Sequence, residues 1–423
     1  MPRLAPLRRA AGRFDRNIWL LYGNTFFIYI GLGIFALVFN LYLTAQGHRE
    51  DFVGLFAFAN TAAIGGFAIP AGAISNRFGP RVCLAFASVA MGITGIALAF
   101  VVHPVLVIAG GIVYGMANAL IFVPSGPFLV DNTGEDERLQ AFSINFATMS
   151  SAQVLGSLAS GYLPGILAVS LALGGPADAY RLTLIAGALV CFFGAVPMLF
   201  ARMGERRPIV GTPTVPPRPP LAPSRARRAL LQFAGANLLV AIATGLILPF
   251  FNVYFADVLG ASVELIGVIF AVASLLMVPF SLVGPAMARR IGTVNSIVAF
   301  RLVTAPFAFA LAAFPSLALG AVAYVGRASF VSVTWPLDNA FAMTLMPPRM
   351  RATQAGIRSA AWNIGWSVAS LVAGQAIVGV GYWVVFLASG LFMCAGVTAY
   401  YVWFRGHERA ETPAAAKASA QAT

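Results

Sequence analysis

The chain alternates between long apolar runs and short polar breaks. Twelve runs can be drawn, with approximate limits 18–43, 52–74, 82–102, 105–130, 141–168, 181–201, 229–255, 264–288, 293–314, 316–346, 352–378 and 382–404. A helix of about 20 apolar residues matches a hydrocarbon core about 30 Å thick. The pattern therefore predicts an all-α integral membrane protein with 12 transmembrane helices. Several runs are longer than that, which predicts tilt or kinks. Pro70, Pro124, Pro127, Pro249, Pro279, Pro306 and Pro336 are the expected kink points.

The polar breaks are unequal. Residues 202–228 hold seven Pro and seven Arg, as in "VPPRPPLAPSRARR", and read as an extended, solvated linker. The residues after 404 end in "AETPAAAKASAQAT", a low-complexity tail. The expected organisation is a six-helix bundle over 1–201, the linker 202–228, a second six-helix bundle over 229–404 and a tail over 405–423. The first run is too long for the apolar core of a signal peptide, and no small-residue cleavage site follows it.

Composition agrees with this pattern. Of the 423 residues 59% are hydrophobic and only 10% are charged, against about 25% in a soluble domain. The net charge of +13 would suit a nucleic-acid partner, but its placement argues otherwise. Of 27 basic residues, 22 fall in alternate loops and the termini, two (Arg49 and Arg181) in the opposite loops, and three (Arg301, Arg327 and Arg358) inside apolar runs. Such alternation follows the rule that basic loops stay in the cytoplasm. It predicts a cell-membrane protein with both termini and the linker cytoplasmic, and basic loops that meet anionic lipid. The cysteines Cys83, Cys191 and Cys394 are scattered in apolar runs and read as buried free thiols. No His or Cys spacing suits a metal, and no P-loop is present, so no cofactor is expected.

The two halves repeat. At an offset of 213 residues Asn24 meets Asn237, Gly54 meets Gly267, Arg77 meets Arg290, Gly79 meets Gly292, Arg138 meets Arg351 and Gly161 meets Gly374. At 212, "FNLY" (39–42) meets "FNVY" (251–254). Arg and Asn matches at one offset are not a product of Gly- and Ala-rich composition. They predict two parallel six-helix pseudo-repeats.

After the second run comes "GAISNRFGPR" (72–81). Twelve spans, two halves and this basic turn resemble the major facilitator superfamily, whose pattern at the turn is G-x-x-x-D-R-x-G-R-[RK]. A weaker copy, "GPAMARRIGT" (284–293), sits in the second half, and "DNTGEDERLQAF" (131–142) and "LMPPRMRATQAG" (345–356) look like the loops after spans four and ten. The resemblance implies a gating role for Asn76, Arg77, Gly79, Arg81 and Arg290. Gly79 allows the tight turn. Arg77 is positioned to bond helix C-terminal carbonyls or an acid. Position 76 carries Asn where the family pattern has an acid, so a charge relay through it is not available. Span four, "GGIVYGMANA" (110–119), lacks the Arg of drug–proton antiporters, and span five, "QVLGSLASGYLPG" (153–165), lacks their Gly-Pro pair.

Four ionisable residues lie well inside the spans: Asp338, Arg301, Arg327 and Arg358. Such groups are costly in a membrane and are functional candidates. Asp338, Arg301 and Arg358 fall at similar depth. They form either a structural ion-pair cluster or a proton site at Asp338 tuned by its Arg neighbours. Arg358 and Trp362 have the spacing of a cation–π pair. Tyr324, Arg327, Thr334 and Asp338 share one helical face, flanked by Trp335 and Asn339. The resemblance implies that spans one, four, seven and ten line a central cavity. This directs that face, with Asn24, Asn237, Asn118 and Tyr114, toward substrate. Interhelical hydrogen bonding is the competing role for each Asn.

The resulting expectation is a monomeric secondary transporter, not an enzyme, that works by alternating access. It moves a small organic molecule, with protons as the coupling ion and export as the direction. Uptake of an organic anion or polar solute is the alternative within the class. A transport-inactive sensor or scaffold is the alternative outside it.

Overall fold

In lipid each backbone N–H and C=O must be satisfied within the chain, and a helix does this locally. The computed structural model describes residues 14–202, 223–346 and 351–409. Among them there is no strand. Among the described residues twelve helices are long and apolar enough to cross a membrane. We number them spans one to twelve: Arg16–Ala45, Glu50–Phe78, Pro80–Phe100, Pro104–Asp131, Gln140–Ser170, Pro176–Phe200, Arg227–Val258, Val263–Ile291, Thr293–Ala313, Leu317–Ala342, Gln354–Val380 and Tyr382–Gly406. The helix of span seven begins at Pro223, so residues 223–228, read as linker, form its first turns. Most of the linker (203–222) and of the tail (410–423) lies outside the described residues.

The repeat is carried through the helix ends. Spans two, three and four begin 213 residues before spans eight, nine and ten. Gly79 (φ 84°) turns the chain between spans two and three, and Gly292 (φ 92°) does so between eight and nine. Both need the left-handed region that a Cβ disfavours. Packing repeats too. Span one packs on five and six, and span three on four and six; span seven packs on eleven and twelve, and span nine on ten and twelve.

The chain divides into two compact units. Among the described residues, one comprises 14–47, 62–202 and 263–271; the other comprises 48–61, 223–262, 272–346 and 351–409. The opening turns of spans two and eight thus group with the unit opposite to the rest of their helices.

Three spans are broken, each near a proline. Span six is interrupted at Gly194, three residues before Pro197, and span nine at Val303, three before Pro306. Span seven leaves α-geometry at Gly245, passes through a 3₁₀ turn (Leu248–Phe250), and ends in a π turn (Tyr254–Val258). Pro249 has no N–H to offer the Gly245 carbonyl. The Ser370 hydroxyl lies 3.2 Å from that carbonyl and shares its proton between it and Trp366 O, at 2.9 Å. Pro70, Pro124, Pro127, Pro279 and Pro336 lie inside continuous helices.

Candidate functional site

The charges of the second unit separate into three environments. Arg301 on span nine and Asp338 on span ten are each 4% exposed and form a direct ion pair through Arg301 Nη2 and Asp338 Oδ2. The Tyr400 ring lies 5.6 Å from the Arg301 guanidinium carbon. Apolar side chains, among them Phe233, Leu337, Phe341 and Phe404, pack together around Tyr400. The pair uses one arm of each partner. Asp338 Oδ1 and Arg301 Nη1 have no hydrogen-bond partner among the described residues. A fork-to-fork contact would have used both. The arrangement therefore leaves one acceptor and one donor without a partner in a low-dielectric interior.

Arg358 on span eleven lies within electrostatic range of both members of the pair but bonds to neither. It donates to Asn339 Oδ1, and the expected cation–π contact with Trp362 is absent. Trp362 packs instead between Trp335 (6.1 Å between centroids) and Trp366 (6.0 Å). An amide within reach of a half-buried guanidinium satisfies it better than a ring face can. Trp335 is 60% exposed, the open member of this aromatic row.

Arg327 is the third case. It is 7% exposed and lines a small cavity within the second unit, together with residues of spans seven, nine and twelve. Tyr324, one turn away, meets Phe251 edge-on at 5.0 Å. Thr334, like Arg327 and Asp338, is buried. Span ten thus turns Arg327, Thr334 and Asp338 into the unit's own interior.

The asparagines are mostly occupied. Asn24 is 1% exposed, and its Nδ2 donates to Ser88 Oγ (2.9 Å) and to the Gly194 carbonyl (2.7 Å). That carbonyl sits at the break in span six, so Asn24 ties spans one, three and six together. Asn237 donates to Phe233 O in its own helix at 3.0 Å. Asn118 is buried, with its Oδ1 unpartnered among the described residues. Tyr114 is buried and stacks on Phe35 at 4.3 Å.

At the basic turn Arg81, rather than Arg77, reaches helix-terminal carbonyls. It donates to Met198 O (2.9 Å) and Leu199 O (2.7 Å) at the end of span six. A cation there also meets the negative end of the helix. Arg77 is exposed over the Phe78 ring at 5.3 Å. Arg290 is exposed in the last turn of span eight, and Asn76 is exposed beside Arg77.

Two positions escaped the sequence reading. Asn17 donates to Asn132 Oδ1 (2.7 Å) and Arg202 O (3.0 Å) and accepts from Arg202 N (2.9 Å), clamping the ends of spans one, four and six. Arg181, an exception to the loop-charge pattern, donates to Ala99 O (3.2 Å) and pairs with Asp178 (3.1 Å). It lies in the second turn of span six, where a structural anchor explains its presence. Neither has a motif that a single sequence displays.

The sequence profile described as Major Facilitator Superfamily matches residues 21–370 and, in a second overlapping match, 233–422. A search of curated proteins finds no match. Among solved structures, a nucleoside transporter, NupG, superposes with TM-score 0.71 at 14% identity, over 92% of this chain and 99% of that one. A bacterial homologue of the human lysosomal transporter Spinster, inward-facing and occupied, gives TM-score 0.70 at 14% identity, over 92% and 96%. A D-xylose–proton symporter gives TM-score 0.67 at 16% identity, over 91% and 95%.

Proposed function

The chain belongs to the major facilitator superfamily, and on that premise we propose that it is a proton-coupled exporter of a small organic molecule, with Asp338 as the proton site. Membership itself makes it a multi-pass membrane protein and a secondary transporter that works by alternating access on a small-molecule substrate. Direction, coupling and site residues are the proposal.

The observation that carries it is the single-armed Arg301–Asp338 pair, buried on both sides. A proton arriving at the open Oδ1 of Asp338 neutralises the carboxylate and removes the counter-charge of Arg301. The freed guanidinium is then an unpaired ion in an apolar bundle, a state costly by several kcal/mol. Protonation thereby shifts the balance between conformations that differ in how far they expose Arg301. Nothing in the fold requires these charges. At the 213-residue offset the first repeat carries Ser88 opposite Arg301 and Ser125 opposite Asp338, and it builds the same helix pairings. Trp335 is the proposed aromatic contact for substrate, being exposed three residues before the acid. A proton symporter among the structures of like fold is consistent with such coupling.

The test is proton movement in proteoliposomes. A pH-sensitive dye is trapped inside and candidate organic cations, sugars and organic anions are added in turn. Substrate-driven proton flux is expected in the wild type, and substrate movement without proton flux in Asp338→Asn. A wild type that moves substrate at a rate indifferent to the proton gradient would overturn the coupling.

A further inference from the structure

Arg327 leaves a full charge inside the second unit without an answering group. Its Nη2 has no hydrogen-bond partner among the described residues, and the side chain is more than nine-tenths buried. Deprotonation gives no relief, because a guanidinium stays charged at any accessible pH. The acids on the helices that wall its cavity are elsewhere. Asp338 is paired with Arg301 and lies eleven residues along the same helix, about 16 Å away. Asp257 is exposed near the end of span seven. Tyr324 is the titratable neighbour, and a phenol brings no counter-charge at neutral pH.

The cavity itself is small and well defined. Ile247 and Phe251 wall it from span seven, Thr304 and Ala308 from span nine, and Ser389 and Met393 from span twelve. Ile247 and Thr304 flank the breaks in spans seven and nine. There is room for about one water-sized occupant, too little for an organic solute. Two hydroxyl-bearing residues line it, Thr304 and Ser389. Thr304 Oγ1 donates to Arg301 O at 2.6 Å and Ser389 Oγ to Ala243 O at 2.5 Å, and either can rotate to donate elsewhere.

We infer that this cavity is a binding site for a single small monovalent anion, of chloride size, held by Arg327 with the Thr304 and Ser389 hydroxyls. The anion supplies the counter-charge that the protein omits. The site belongs to the second repeat alone. At the equivalent position of the first, Tyr114 fills the space against Phe35. The inference does not rest on the proton-coupling proposal.

The experiment is thermal unfolding of the purified full chain in detergent, with chloride or bromide titrated against gluconate at constant ionic strength. At ten times the dissociation constant, halide is expected to raise Tm by roughly 1–2 °C. The shift should vanish in Arg327→Leu. It should also vanish in Ala308→Leu, which fills the cavity and keeps the charge; this second variant decides the matter if the first does not fold. Bromide anomalous scattering should place the ion beside Arg327. No halide-dependent shift in the wild type, or a shift that survives in Ala308→Leu, overturns the site. A response to acetate as large as to bromide overturns the size assignment. Loss of proton coupling in the flux assay would leave the halide response standing, so the two proposals fail separately.

Discussion

At the 213-residue offset Ser88 corresponds to Arg301, Ser125 to Asp338, Asn145 to Arg358 and Tyr114 to Arg327. Every ionisable residue deep in the second half thus stands where the first half has a neutral one. The neutral versions make ordinary structural contacts. Ser88 accepts from Asn24 and Asn145 accepts from Thr25 Oγ1 at 3.1 Å, while Ser125 bonds its own helix and Tyr114 stacks on Phe35. The first half shows that this helix arrangement needs no buried charge. Buried charges carry a desolvation penalty, and the proposed function assigns those of the second half to chemistry rather than to folding.

That comparison breaks most sharply at the ion pair. Arg301→Leu and Asp338→Leu each strand one charge and should each lower stability by about 3–5 kcal/mol. The double replacement Arg301→Ser with Asp338→Ser reproduces the first repeat. It should regain most of that stability in detergent unfolding while losing proton-coupled flux. A double variant as unstable as the singles would make the pair structural.

The next effect lies in the first half. Asn24→Leu removes two interhelical hydrogen bonds and leaves the Gly194 carbonyl unpaired at the break of span six, at about 1–2 kcal/mol. Asn237→Leu, which gives up one bond within its own helix, should show clearly less in the same assay. Equal losses would mean that the two asparagines serve the two halves alike.

Gly79→Ala and Gly292→Ala test where the halves are the same. Both residues hold positive φ in equivalent turns, so each substitution should lower stability by about 1–2 kcal/mol and by similar amounts. The smallest effect is expected from Arg358→Asn, which installs the first-repeat residue at a half-buried site. Its stability should change by less than about 1 kcal/mol, and proton flux should persist because the Arg301–Asp338 pair is left whole. Loss of flux there would enlarge the proton site to include Arg358.

The sequence alone determined the helices, their number and the repeat. A bilayer demands about 20 apolar residues per crossing, and that demand is written locally, residue by residue. The shared offset and the matched Gly79 and Gly292 needed no coordinates either, because only a turn with positive φ requires glycine there. The sequence also picked out Asp338, Arg301, Arg327 and Arg358 as a short roster of costly groups.

The tertiary structure alone decided what those groups touch. In a membrane the lipid-facing and buried sides of a helix are both apolar, so periodicity does not say which way a polar residue turns. That is why Asn24 proved to be a tie between three spans, and why span ten sends Arg327 into a cavity of its own unit. Arg77 and Arg81 are four residues apart in one basic turn. Which of them reaches the end of span six depends on how that helix breaks at Gly194 and where its last carbonyls then point. Long flexible side chains choose among partners brought together over a hundred residues of chain, and that choice is made by packing.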